Sequence, residues 1–297
     1  MTRAQSGILV MLAMTKSSIL LLYCPDRKGL VAAIANFLYE HDANILHAAQ
    51  HQDNALGLFF MRVEFELPPT VIDRAAFRAT FADLAAIHQM TWQLEEQEQP
   101  PRVAIFVSQY LHCLNDLLYR HASGELHCSI PLIISNHNEA EALAAFHHIP
   151  FHRIEVTRDT KPQAEQQQFA LLDEHGIDLI VLARYMQVLS PDFCARYPRR
   201  IINVHHSFLP AFTGAKPYHA AFERGVKLIG SSSHYVTDAL DEGPIIEQDV
   251  MRISHEDLLP DLIQKGRDLE RLVLSRAVRW HLEHRILSYA NKTVIFS

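Results

Sequence analysis

The stretch RIINVHHSFLPAF, residues 200–212, runs from a short apolar segment, Ile201 to Val204, straight into polar residues and a turn signal. Strands that end this way deliver side chains to a site. The candidates here are Asn203, His205, His206 and Ser207. Further along, HYVTDALDEGP, residues 234–244, offers carboxylates at Asp238, Asp241 and Glu242. An amide, an imidazole and one of these carboxylates, brought together, suit attack on a carbonyl group. The amide donates to the developing oxyanion. The imidazole does the same or shuttles a proton. The carboxylate sets the charge of the imidazole and can take a proton from the attacking group.

Spacing alone leaves other readings open. Asn-x-His is a short pattern, and DALDEG also suits a solvated acidic loop. His206 reads as a neighbour that fills space. His234, in the alternating segment SSSHYV, either orients the carboxylate or is a satisfied, partly buried histidine. Ser207 lacks the G-x-S-x-G elbow of a serine nucleophile and reads as a turn residue or a helix cap.

Such residues need a scaffold, and hydrophobic periodicity outlines one. SILLLYC, residues 18–24, reads as a buried strand, followed by the turn PDRKG. LVAAIANFLYEHDAN has helical spacing, with Leu30, Ile34, Phe37 and Leu38 on one face. ILHAAQHQD and LGLFFMRVEFEL read as strands. The second alternates, with Phe59, Met61, Val63 and Phe65 opposite Phe60, Arg62, Glu64 and Glu66. DRAAFRATFADLAAIHQ reads as an amphipathic helix and TWQLEE as a closing strand. The order βαββαβ predicts a small, two-layer, ferredoxin-like α+β domain over residues 15–97.

The glutamine- and proline-rich stretch at 98–102 reads as a linker. Beyond it, over 103–297, strands at 103–107, 130–134, 151–154, 177–183 and 201–204 alternate with helices near 110–121, 138–147 and 163–175. That alternation predicts a mostly parallel, doubly wound α/β sheet covered on both faces. KLIGSSSHYV and PIIEQDVMRI then read as a hairpin-type pair, before a long helix from about 256 to 284 and an apolar tail. Ligands of such sheets bind beyond the carboxyl ends of the strands. NVHHS and ARYMQVL fall at that edge, and the acidic loop can fold over it.

Composition narrows the classes of function. The chain has 297 residues, a formal net charge of −7 and a pI of about 6.2. A mildly acidic chain lacks the clustered Lys and Arg that nucleic acid requires. The 19 histidines are scattered, and the pairs His147-His148 and His205-His206 lack helical zinc-ligand spacing. No metal is expected, and the absence of G-x-G-x-x-G argues against a nicotinamide cofactor. Cys24, Cys113, Cys128 and Cys194 form no CxxC pair, as expected of a reduced cytoplasmic protein. The apolar run SGILVMLAM, residues 6–14, is too short to span a bilayer, so no membrane association is expected. Met14 is an alternative start to Met1.

At this point the residues carry a resemblance. NVHHSFLPAFTGAKPYHAAFERG, followed by GSSSHYVTDALDEGPII, is similar to the folate-dependent formyltransferase fold, and LARYMQVLSPDF resembles that family's folate-pocket segment. The resemblance covers about residues 103–285. It implies that Asn203, His205 and Asp241 match the family's catalytic asparagine, histidine and aspartate. It also implies that Tyr185, Met186, Gln187, Val188 and Leu189 line the pterin pocket, with Val236 and the 237–241 loop on the opposite wall. Related enzymes often carry Arg where this chain has Gln187. If pterin recognition there uses backbone groups the change matters little; if it uses the guanidinium, affinity suffers. The segment CPDRKGLVAAIANFLYEHDANI resembles the opening of an ACT domain, a module that pairs between subunits and binds amino acids. The resemblance therefore implies a homo-oligomer, with an amino-acid effector at the 25–30 turn and 41–45.

An ACT module followed by a formyltransferase fold resembles the formyltetrahydrofolate deformylase family. The first strand-to-helix connection bears on transfer against hydrolysis. In glycinamide ribonucleotide formyltransferases this turn is glycine-rich, and its amides cradle the acceptor's phosphate. Here no glycine occurs from Val103 to Ser123, and Gln109, Tyr110, Leu111 and His112 stand where close backbone approach needs small residues. A phosphorylated amine is then a poor acceptor, and water can take its place. The expected reaction is hydrolysis of 10-formyltetrahydrofolate, as substrate and with no cofactor, to tetrahydrofolate and formate. The resemblance implies that this supplies formate for purine synthesis and balances the one-carbon pool. The alternatives are formyl transfer to a non-phosphorylated amine or amino sugar, and a catalytically silent ACT-domain sensor of folate or an amino acid.

Overall fold

The structure, a computed structural model, describes residues 17–67, 74–96, 99–211 and 217–296. The run 6–14, the alternative start at Met14, and Glu98 of the expected linker lie outside them. The chain divides into two compact units, Met1–Glu98 and Gln99–Ser297.

The first unit has the expected order: β1 (Ser17–Pro25), α1 (Leu30–Glu40), β2 (Asn44–Asp53), β3 (Leu58–Glu66), α2 (Arg74–His88) and β4 (Thr91–Glu96). Its sheet runs β2-β3-β1-β4, antiparallel throughout. The period-2 pattern holds: Phe59, Met61, Val63 and Phe65 enter one core with Leu20 and Leu22 of β1 and with Leu30, Ile34 and Leu38 of α1. Phe77 and Phe81 of α2 close it, both packed edge-on to Phe37. A cavity of about 730 Å³ opens beside the 25–30 turn, lined by Asp26, Arg27, Gly29, Gln50 and His51 among others. None of residues 41–45 lines it.

The second unit begins with β5 (Arg102–Val107), so Arg102, expected in the linker, is already sheet. Then follow α3 (His112–Ala122), β6 (Ser129–Ser135), α4 (Glu141–Phe146), β7 (Phe151–Arg153), α5 (Lys161–Glu174), β8 (Leu179–Leu182), α6 (Pro191–Arg196), β9 (Ile201–His205) and α7 (Pro217–Arg224). β10 (Leu228–Tyr235), β11 (Ile245–Arg252), α8 (Leu259–Leu282), β12 (Ile286–Tyr289) and β13 (Lys292–Ile295) complete it. The main sheet runs β11-β10-β9-β8-β5-β6-β7; β9 to β7 are parallel, while β10 and β11 are antiparallel additions. β5 shows why the parallel part reads as continuous apolar runs. Val103, Ile105 and Val107 face the core built with α3 and α8, and Ala104 and Phe106 face the one built with α5 and α6.

Some elements differ from expectation. α6 stands as a separate helix, started by Ser190, whose hydroxyl accepts from Phe193 N at 3.1 Å, with Pro191 at its first position. The apolar tail is the hairpin β12–β13. Ser207 caps no helix; its hydroxyl donates to the Ala211 carbonyl at 2.7 Å and closes a turn. Among the described residues, no helix is long and apolar enough to cross a membrane.

Candidate active site

The chain leaves β5 toward β6 and β7 on one side and returns to β8 and β9 on the other, so the strand order reverses between β5 and β8. The crevice beyond the carboxyl ends of the strands at such a reversal is where a ligand site is expected. Here a cavity of about 390 Å³ is lined by residues following β8, by the end of β9 and by the loop after β10.

Register does the first positioning. β10 pairs antiparallel with β9 so that His234 stands opposite Asn203. Asn203 Nδ2 lies 3.2 Å from His234 Nε2, and His234 Nδ1 lies 3.0 Å from the Tyr235 carbonyl oxygen. A carbonyl only accepts, so Nδ1 carries a proton. Nε2 then faces both the Asn203 amide and Asp241 Oδ1, and Asn203 Nδ2 keeps an N–H for a ligand.

The loop after β10 turns back on itself to bring in the carboxylate. A Cβ at Gly243 would stand 1.8 Å from the Tyr235 carbonyl oxygen, so only glycine permits the fold-back. Asp241 itself has φ 57, a left-handed conformation that Asp tolerates better than most residues. Downstream, Asn291 Nδ2 donates to the Glu242 carbonyl at 2.8 Å and Thr293 Oγ1 to the Ile245 carbonyl at 2.7 Å, tying both ends of this turn to the β12–β13 hairpin.

The outcome separates the three acids that spacing could not. Asp241 Oδ2 lies 3.1 Å from His205 Nδ1, and Oδ1 lies 3.5 Å from His234 Nε2. Asp238 lines the cavity but accepts from Ala239 N within its own loop, and Glu242 is exposed. Burial alone would raise the Asp241 carboxyl; hydrogen bonds from His205 and His234, with their charges, outweigh it and hold the carboxyl well below the usual carboxylate range. His205 is buried, and its Nε2 has no hydrogen-bond partner among the described residues. A buried polar atom left unpaired is costly unless a ligand completes it.

The residues expected along the pterin pocket, Tyr185, Met186, Gln187, Val188 and Leu189, all line the same cavity, as does Val236. They divide by role. Tyr185 belongs largely to the core: its ring meets Phe106 edge-on, its hydroxyl accepts from Gln168 Nε2 at 3.0 Å, and burial pushes its phenol up to about 12. Met186 and Val188 are exposed apolar side chains at the cavity, available to cover a flat ring. The Met186 N–H is already taken by Ser108 Oγ at 3.0 Å.

The site also holds Arg184 and Glu270, which the sequence reading did not single out. Arg184 is buried with φ 64, just after β8, and lines the cavity. Its Nε lies 3.4 Å from Oε2 of Glu270, a fully buried carboxylate on α8. Glu270 Oε2 also accepts from His112 Nε2 at 2.6 Å, and Oε1 accepts from the Tyr218 hydroxyl at 2.6 Å. Burial would raise Glu270; the His112 hydrogen bond and the Arg184 charge reverse that and hold it below its ordinary value. Gly266, one turn earlier on α8, leaves room for Tyr218, since a Cβ there would stand 2.2 Å from the ring. His112, Cys113 and Glu270 bring ligand atoms within 4.8 Å of one another. With a guanidinium beside Glu270 and its oxygens already accepting, these surroundings disfavour a further cation.

Comparison with known proteins matches the formyl transferase family over residues 101–278 and the ACT domain family over residues 18–75. The formyltetrahydrofolate deformylase of Synechocystis sp. is 54% identical over 278 residues, covering 94% of this chain and 98% of its own. That of Bacillus subtilis is 50% identical over 279 residues, covering 94% and 93%. The crystal structure of a formyltetrahydrofolate deformylase from Pseudomonas syringae pv. tomato superposes with a TM-score of 0.90 at 45% identity, covering 97% of this chain and 96% of that one.

Proposed function

This chain belongs to the formyltetrahydrofolate deformylase family, and from that premise we propose that Asn203, His205 and Asp241 carry out its reaction. It is an enzyme that hydrolyses 10-formyltetrahydrofolate to tetrahydrofolate and formate. The observation that carries the assignment is the Asp241–His205 pair beside the unpartnered, buried His205 Nε2.

The steps follow from the chemistry of these groups. The pterin lies along Met186–Leu189 with Val236 opposite, which brings N10 to the polar end of the cavity. Asp241 orients a water by accepting its hydrogen bond. The water oxygen attacks the formyl carbon, and the formyl oxygen becomes an oxyanion. The free N–H of Asn203 and the Nε2–H of doubly protonated His205 stabilise it; a donor of this kind contributes about 3 kcal/mol of barrier reduction. A carboxyl held well below its usual range does not retain the proton it takes. That proton passes on to N10, the oxyanion re-forms a carbonyl as the C–N10 bond breaks, and tetrahydrofolate separates from formic acid, which gives its remaining acidic proton to water and becomes formate. His234 is a positioning residue that holds the amide of Asn203 and the carboxylate of Asp241 in reach of one carbon.

The ACT unit provides regulation and assembly in this reading. The cavity at the 25–30 turn pairs Arg27 with Asp26 and Gly29, charges and space suited to an amino acid's carboxylate and ammonium. β2 is an edge strand with most of its residues exposed, including Ile45 and Leu46, and suits pairing with a second copy. The physiological output is formate for purine synthesis. Protein mixed with 10-formyltetrahydrofolate and no amine tests the central reading: formate appears with turnover, and its absence would refute hydrolysis.

A further inference from the structure

The first crossover does not fill the space it borders. A second cavity, of about 360 Å³, adjoins the first, because Arg184, Met186 and His206 line both. Its floor is the Glu270 network, whose single carboxylate is already matched by His112, Tyr218 and Arg184. The remaining charged lining is cationic. Arg267, exposed on α8, and Arg184 sit with their guanidinium carbons 5.7 and 5.5 Å from the Tyr110 ring centroid. No carboxylate among the described residues forms an ion pair with Arg267. The exposed His219 completes the rim.

Hydrolysis consumes a water and creates an anion. With folate filling the first cavity, the adjoining volume past Arg184, Met186 and His206 is the space into which that anion can move. A carboxylate entering it meets the Arg267 guanidinium, while the one buried acid is already neutralised. We propose that the second cavity receives the formate anion, with Arg267 as its counter-charge and Arg184, paired to Glu270, lining the passage, and that formate leaves through it while tetrahydrofolate is still bound. The proposal rests on the hydrolytic reading above. It also gives Tyr110 and His112 a use: they shape a route for a small anion in place of a phosphate cradle.

The test is a titration of 13C-labelled sodium formate into protein saturated with tetrahydrofolate, followed by NMR line broadening. Saturable binding is expected, weakened about tenfold or more in Arg267→Gln, as for loss of one charge-assisted hydrogen bond. Arg158→Gln, which removes an equal charge from an exposed turn lining neither cavity, should leave binding within about twofold, since general charge is screened by salt. Both positions are exposed, so neither substitution threatens the fold. Absence of saturable binding, undiminished binding in Arg267→Gln, or equal weakening in Arg158→Gln overturns the proposal. Formate release from 10-formyltetrahydrofolate is assayed on the same preparations. No release would remove the hydrolytic reading itself, whereas release without saturable formate binding would remove only the assignment of the cavity.

Discussion

Asp241 Oδ2 and His205 Nδ1 stand 3.1 Å apart although 36 positions of chain separate the residues (241 − 205), and a glycine fold-back brings them together. The carboxylate is thereby held ionised against an imidazole whose other nitrogen is left for a ligand.

Replacing Asp241 by Asn keeps the shape of the loop and removes the charge. Turnover of 10-formyltetrahydrofolate should fall by about a thousandfold or more, while the affinity for tetrahydrofolate changes by less than about fivefold. Formate release and equilibrium folate binding measure the two sides. Release at the parental rate would refute the assignment.

The same pair predicts a pH dependence of stability. The folded-state carboxyl of Asp241 is depressed, so its contribution is fully present above the unfolded-state value, about 3.9, and is lost as pH falls through the folded value. Urea unfolding of the parent and of Asp241→Asn should give a constant difference in stability from about pH 7 to 5, shrinking below about pH 4. A difference that widens on acidification would contradict the sign.

His234→Gln probes positioning. Glutamine loses the ring that bridges the Tyr235 carbonyl, the Asn203 amide and Asp241. The expected loss lies in kcat, roughly ten- to a hundredfold, with little change in KM, because the residue acts on the reacting end and not on the pterin. Asn203→Ala should cost more, about a hundred- to a thousandfold in kcat. Steady-state kinetics of the two variants checks the order.

Gly243→Ala tests the fold-back. The added methyl would stand 1.8 Å from a backbone oxygen, so the loop must shift. A loss of about 2–4 kcal/mol in stability, or a shifted loop with near-parental stability, is expected; either way catalysis fails. Thermal melts with activity assays separate these from a tolerated substitution, which would show the loop position to be dispensable.

For the ACT unit, calorimetry with glycine and with methionine should register binding by at least one of them, and Arg27→Ala should abolish that heat. Silence with both amino acids would leave the unit an assembly module only.

Much of this was legible in sequence, for identifiable reasons. Alternation along 58–66 and continuous apolar runs in β5 and β8 fixed which faces are buried, since side-chain period follows backbone geometry. The choice of Asp241 over Asp238 came from motif resemblance and not from local chemistry; what distinguishes the two is the backbone path, left-handed at Asp241. Glu270 was hidden. On a long amphipathic helix it reads as a solvated charge, and its partner His112 lies 158 residues away. Its one local hint was Gly266, a helix-interior glycine, the kind of position that marks close packing. Arg184 was equally silent, because nothing in LARYM announces a positive φ. The terminal hairpin was missed, because ILSY and KTVI read together as one apolar tail; the two-residue turn at Ala290 and Asn291 between them was the overlooked signal.

That hairpin bears on how the enzyme can be handled. Asn291 fastens the Glu242 carbonyl from 49 residues downstream, so the acid next door depends on a structure remote from the catalytic motif. A truncated chain ending at Leu282 would retain every strand of the main sheet and every residue of the motif, yet leave the acid-bearing turn without its anchor. Recombinant designs that trim the carboxyl end would then lose activity twice over, by freeing that turn and by stripping Ile286 from the core beneath the sheet.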